Sequence, residues 1–239
     1  MKTVITPENL RSFAYLNENA LVGSPIGIAL DFMGLGGMSM FGEDTPLGKK
    51  LGEAGILYCI PYLDPWSWMN PFAVRETDEI LDAVFAKYGV ESLPVVSTGG
   101  SMGGLACLVY ARYAKRTPIA VVANCPVCDL PYHYTERPDL PRTLYAAFGG
   151  SEEDSLVSAM EKASPLHLAQ RGEMPKIPYT IFHCTADMAV NKEMHSDRFV
   201  TALEPLSPVA YIPVPGRGHC DLGEEMREQY EATIMQSFR

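Results

Sequence analysis

The 239-residue chain is 47% hydrophobic and 20% charged, with a formal net charge of -10. Apolar residues spread along its whole length fill one core and exclude a disordered chain. The negative charge repels nucleic-acid phosphates and anionic lipid surfaces, so neither nucleic acid nor a membrane is an expected partner.

Met1 to Pro7 carries no long apolar run after Lys2, and no stretch is long and apolar enough to span a bilayer. A cytoplasmic protein is the expectation. Residues 7–17 have room for a helix. Residues 25–32 read as a buried strand running into the turn Gly34-Leu35-Gly36-Gly37. Residues 45–54 read as a helix, with Thr45 as N-cap, Pro46 in the first turn and Gly55 as the stop. A second strand follows at 56–62. A long helix at 70–88 opens on Pro71 and closes on Gly89. A third strand at 93–97 is followed by a helix at 102–115, and a fourth strand runs over 119–124. Later come a fifth strand at 179–184, a helix at about 191–203, a sixth strand at 209–214 and a final helix at about 223–237. Strands alternating with helices imply a parallel sheet covered on both faces. Residues 129–165 break the rhythm with four prolines, several aromatics and the acidic run Glu152-Glu153-Asp154. That length predicts a small, mostly helical insertion.

Six cysteines, Cys59, Cys107, Cys125, Cys128, Cys184 and Cys220, mostly sit in apolar runs, as buried reduced thiols do. Cys125-Pro126-Val127-Cys128 with His133 nearby has the outline of a metal or redox motif. Zinc takes four ligands, however, and no second C-x-x-C exists, so a structural role is expected, with no metal and no cofactor.

The strongest local signal is Gly99-Gly100-Ser101-Met102-Gly103-Gly104, set between a strand and a helical pattern. A serine on a sharp strand-to-helix turn projects its hydroxyl above the sheet, and small neighbours let strand and helix approach closely. A serine hydroxyl needs a general base oriented by a third group. Among five histidines, only His219 lies in a glycine-flanked loop beyond a strand's C-terminal end, where ligands of open α/β sheets gather. His183 reads as a core or sheet-face residue, His167 and His195 as surface residues, and His133 lies in the insertion. Asp187, just past the fifth strand, is the expected acid. Asp129 after the fourth strand is the alternative, Asp197 is expected exposed on a helix, and Asp221 is expected to cap the last helix. The oxyanion requires two backbone N–H donors, assigned to Met102 and to Leu35, with Gly34 as the neighbouring option.

On Gly99-Gly100-Ser101-Met102-Gly103, Thr185-Ala186-Asp187, Gly218-His219 and Gly34-Leu35-Gly36-Gly37, the sequence resembles the α/β-hydrolase superfamily, over most of the chain from about residue 25. Small carboxylesterases and the catalytic domains of prolyl-oligopeptidase-like enzymes are the nearest in appearance. The resemblance implies a single three-layer α/β domain over residues 1–239. Its mainly parallel sheet is expected to have about six strands, with a helical cap at about 129–165. Two departures stand out. Met33-Gly34 occupies the place of the family's histidine-glycine pair, and the N-terminus is too short for two leading antiparallel strands.

The function implied is hydrolysis of a small carboxylic ester through an acyl-serine intermediate. Tyr132, His133, Tyr134, Tyr145 and Phe148 in the insertion, and Trp66 and Trp68 after the second strand, are candidates to line an apolar acyl site or, equally, to pack cap against body. A peptidase, with Glu152-Glu153-Asp154 reading a free amine, and a non-catalytic ligand-binding protein are the rival readings.

Overall fold

The computed structural model describes residues 4–38, 40–150 and 153–239. Seven strands form one sheet in the order β1-β3-β2-β4-β5-β6-β7. They are β1 Ala14–Leu16, β2 Gly27–Phe32, β3 Ile56–Pro61, β4 Val95–Gly100, β5 Ala120–Asn124, β6 Tyr179–Cys184 and β7 Val209–Val214. Among the described residues, only β1 runs antiparallel, against β3. All other pairs are parallel.

The sheet exceeds the expected six strands by β1. Residues 7–17 do not form the expected helix. They make a single 3-10 turn, Leu10–Ser12, and then enter the sheet. The cause lies far along the chain. Fully buried Asn17 donates through Nδ2 to Gly48 O and Ile56 O, at 2.7 and 3.2 Å, and its Oδ1 accepts the Tyr58 N–H at 2.7 Å. These bonds hold the segment beside β3.

Alternate residues of each strand enter two cores. Ile28, Leu30, Leu57 and Cys59 join one core with α2 Pro71–Tyr88, α3 Met102–Tyr113 and α8 Arg198–Leu203. Ala29, Ile56, Tyr58 and Ile60 join the other, with α1 Pro46–Glu53 and α9 Gly223–Gln236. The result is helix, sheet and helix in three layers. Chemistry at the helix ends matches the sequence. Thr45 caps α1 by accepting the Gly48 N–H, Asn70 caps α2 by accepting those of Phe72 and Ala73, and Gly89 ends α2 at φ 65°.

The expected insertion is helical and runs slightly past residue 165: α4 Leu130–Glu136, α5 Leu140–Phe148, α6 Leu156–Lys162 and α7 Pro165–Gln170. Ser151 and Glu152 lie outside the described residues, and with Glu152 part of the acidic run. The predicted helix at 191–203 opens as a π-helical turn, Glu193–Asp197, before α8. His195, expected at the surface, is fully buried there, because α4 packs over it. Among the described residues, no helix is long and apolar enough to cross a membrane.

Candidate active site

Ser101 joins β4 to α3 at φ 59°, ψ -122°, a conformation few non-glycine residues adopt. Its neighbours show why glycine is required. A Cβ on Gly103 would lie 2.0 Å from Phe32 O, and one on Gly99 would lie 2.4 Å from Gly103 O. Backbone bonds pin the turn: Ser101 N donates to Asn124 O at 3.0 Å, and Ser101 O accepts from Leu105 N and Val127 N at 3.0 and 3.3 Å. Met102 is the first residue of α3, so its N–H has no intrahelical acceptor.

His219, beyond β7, places Nε2 2.8 Å from Ser101 Oγ and Nδ1 2.7 Å from Asp187 Oδ2. Asp187 follows β6. Its side chain is fully buried, while that of His219 is 28% exposed. Asp187 Oδ1 accepts the N–H groups of Ala189 and Val190 at 2.8 and 2.9 Å. His183 Nε2 stands 3.4 Å from Oδ2. Burial alone would raise the Asp187 pKa. Hydrogen bonds from His183, His219 and the Val190 N–H outweigh it and hold the carboxyl well below its usual range. Burial likewise opposes the charged form of His219, yet the bond to Asp187 and its charge leave that pKa raised. With Nδ1–H held by the carboxylate, the Nε2 lone pair faces the serine hydroxyl, an arrangement able to accept its proton.

The turn opposite completes the edge. A Cβ on Gly34 would lie 3.8 Å from Gly100 O and 4.0 Å from Ser101 Cβ. Gly36 N donates to Pro65 O and Gly37 N to Gly34 O, both at 3.0 Å, so these two amides are engaged.

No family model matches the sequence, and no curated protein matches it. Solved structures do. An S-formylglutathione hydrolase from Agrobacterium tumefaciens superposes with a TM-score of 0.72 at 13% identity, over 94% of this chain and 87% of that one. A truncated carbohydrate esterase from gut microbiota gives 0.71 at 16% identity, over 94% and 90%. A puromycin hydrolase gives 0.65 at 16% identity, over 90% of this chain but 34% of its own, so this chain spans about a third of that protein. The chain has the α/β-hydrolase fold.

Within the α/β-hydrolase sheet, Ser101, Asp187 and His219 follow β4, β6 and β7 and meet at one edge. The rival acids are engaged elsewhere. Asp129 caps α4 through the Tyr132 N–H at 3.0 Å and pairs with Arg198 at 3.1 Å. Asp197, predicted exposed, is half-buried and bonds Lys192 and Tyr211. Asp221 accepts the Gly223 N–H at the start of α9.

The predicted aromatic wall divides. Trp68 is 1% exposed, donates from Nε1 to Thr143 Oγ1 at 3.0 Å and meets the His133 ring edge-on, so it takes the packing role and not that of an open substrate wall. Trp66 is 38% exposed beneath Arg142. Tyr132 is half-buried with its ring against His195, and Tyr134 is half-buried against the main core. Phe148 is buried and Tyr145 exposed.

Several residues at this edge were not singled out by the sequence. Asn124 accepts the Ser101 N–H and donates from Nδ2 to Cys220 O at 3.2 Å, tying the serine turn to the histidine loop. Glu136 bonds both His133 and His195 through Oε2 and accepts the Asn191 N–H through Oε1 at 3.2 Å. Those histidine bonds outweigh burial and hold its pKa down to about 2. Burial lowers the His133 pKa. His133, Glu136 and His195 cluster closely enough to hold a cation. However, His195 Nδ1 accepts the N–H groups of Cys128 and Asp129 at 3.1 and 3.2 Å. Its Nε2 therefore keeps the proton and donates to Glu136, leaving no lone pair for a metal. The trio is a buried knot fastening α4 to the loop after Asp187. No sequence spacing marks it, because His195 comes from a segment 59 residues beyond Glu136.

Proposed function

We propose that the protein is a serine hydrolase that cleaves small carboxylic esters through an acyl-serine intermediate. The observation that carries this reading is the continuous hydrogen-bonded chain from Ser101 Oγ through His219 to buried Asp187. Ser101 Oγ attacks the ester carbonyl as His219 Nε2 takes its proton. Asp187 fixes the tautomer and stabilises the imidazolium. The Met102 N–H and, across the site, the N–H of Leu35 or Gly34 bind the developing oxyanion. His219 then returns the proton to the leaving alcohol, and water repeats the sequence to release the acid.

The space beside Met102 is narrow, which favours a small acyl group over a large one. A hollow lined by Gly34, Met33, Leu63, Pro65 and Met102 measures about 10 Å³. The large cavity, about 630 Å³, is lined by Val109 and Tyr113. Those residues lie roughly 12 Å or more along α3 from Ser101. Helices α4 to α7 serve as the cap, and the ester is bound without a cofactor. Structural neighbours named as esterases support the class, and so do peptidases such as an acylaminoacyl peptidase. This chain covers 37% of that peptidase.

The test is a nitrophenyl-ester series beside an aminoacyl-amide series, run on wild type and Ser101→Ala, with fluorophosphonate labelling. Ester turnover that prefers short acyl groups, with labelling at Ser101 and loss of about 10⁴-fold or more in Ser101→Ala, is expected. Amide turnover without ester turnover, or a wild type that does not label, overturns the proposal.

A further inference from the structure

Two cysteines stand beside the imidazole that bonds Ser101. Cys220 follows His219 directly, and Cys125 follows the last residue of β5. Both hold positive φ, 58° and 45°. Cys125 Sγ, Cys220 Sγ and a ring nitrogen of His219 all lie within 4.8 Å of one another. Cys220 Sγ is 3.7 Å from His219 Nε2. In a tetrahedral zinc site, Zn–S and Zn–N bonds of about 2.3 and 2.0 Å set sulfur and nitrogen about 3.6 Å apart. That edge is therefore already at coordination length.

The protonation pattern also fits. His219 Nδ1–H donates to Asp187 Oδ2, so the lone pair is on Nε2. A carboxylate behind the imidazole is the arrangement in which metal-binding histidines are commonly held. This separates the cluster from His133, Glu136 and His195, where the corresponding nitrogen keeps its proton. Cys125 Sγ accepts the Cys184 N–H at 3.3 Å, a bond that favours the thiolate. Two sulfurs and one imidazole select a thiophilic ion over magnesium or calcium. Cys220 and His219 are partly exposed and provide the way in, with Cys125 buried behind them.

We propose that Cys125, Cys220 and His219 form a site for a thiophilic divalent cation of the Zn²⁺ class, which competes with Ser101 for His219 Nε2. On binding, each thiol gives its proton to solvent, both sulfurs and Nε2 donate to the ion, and a fourth position remains for water. The Ser101–His219 hydrogen bond is lost, so the occupied protein cannot activate its serine. That last consequence rests on the function proposed above; the binding itself does not.

The probe is Co²⁺, added without oxygen to reduced, chelator-stripped full-length protein. One equivalent is expected to give thiolate-to-cobalt charge-transfer absorption with tetrahedral visible bands, bleached by Zn²⁺. Ser101→Ala keeps these bands. Cys220→Ser and Cys125→Ser each weaken binding beyond the range of about 10–100-fold that an indirect change produces, and the double variant loses the bands. A measurement on the unaltered chain guards against misfolded variants: Zn²⁺ is expected to protect the partly exposed Cys220 from alkylation, read by peptide mass spectrometry. No charge-transfer band in wild type, a band that survives in the double variant, or alkylation unaffected by Zn²⁺ overturns the site. Ester turnover that falls with Zn²⁺ and returns with a chelator supports the competition, and turnover indifferent to bound metal overturns it. A full cobalt spectrum in a protein that hydrolyses no ester supports the site and sinks the hydrolase reading alone.

Discussion

Asp187→Asn is the sharpest test of the site because its geometry dictates how the amide must sit. Asp187 Oδ1 accepts two backbone N–H groups, at 2.8 and 2.9 Å, and Oδ2 accepts His219 Nδ1–H at 2.7 Å. An asparagine keeps its oxygen on the two amides, since the reverse orientation sets three donors against one another. Its NH₂ then faces His219 Nδ1, which must become the acceptor. The proton moves to Nε2, pointing at Ser101, and the base is lost. Such a tautomer reversal in a Ser-His-Asp arrangement costs about 10⁴-fold in kcat. The pH profile adds a second readout. Asp187 raises the His219 pKa, so in wild type activity is expected to fall as pH drops through a value above that of a free imidazole. Removing the carboxylate moves whatever activity remains to lower pH.

Stability follows a matching sign. The raised His219 pKa contributes stability that is complete below its unfolded value and lost as pH rises through the folded one. The depressed Asp187 pKa contributes stability above the unfolded carboxylate value, lost as pH falls. Wild type should therefore exceed Asp187→Asn in urea melts most clearly near about pH 5, between the two unfolded values. The assay is steady-state ester hydrolysis across pH, with circular dichroism to establish the fold. A variant within tenfold of wild-type kcat, with an unmoved acidic limb, refutes the reasoning.

Gly103→Ala drives a methyl group against Phe32 O, 2.0 Å away, and separates β2 from α3. A loss of about 3 kcal/mol is expected in urea unfolding, and an unchanged midpoint counts against the close approach. Glu136→Gln sets an NH₂ group against either the Asn191 N–H or the two histidines. It should cost about 2 kcal/mol by leaving a buried donor unpaired, read by thermal melting, and a neutral result would make the knot structurally idle.

The serine turn was legible because its pattern is contiguous: six adjacent residues carry both the steric demand and the serine. The strands at 179–184 and 209–214 were legible as apolar runs and match β6 and β7 to the residue. β4 extends to Gly100, past the predicted end at 97, because its glycines look like turn residues yet still pair with β2 and β5. β1 has three residues, too few to show alternation, and is held by Asn17 bonds to residues 31 to 41 positions away. Burial of His195 and the role of Glu136 depend on contact between segments 59 residues apart, which no local pattern encodes.

Non-glycine residues at positive φ gather at this edge. Among the described residues they are Trp68, Met69, Ser101, Cys125 and Cys220, in the segments after β3, β4, β5 and β7. Each such conformation costs on the order of 1–3 kcal/mol and persists only where its surroundings impose it. Here the restraint is shared. The Asn124 carbonyl holds the Ser101 N–H, its side chain holds the Cys220 carbonyl, and the Cys125 N–H donates to Phe182 O at 2.8 Å in the neighbouring strand. One residue at the end of β5 thus restrains both the serine turn and the histidine loop. The 2.8 Å Ser101–His219 contact is in that sense a property of the sheet edge. A loop relaxing at Cys220 would withdraw the imidazole from the serine without any change in either side chain.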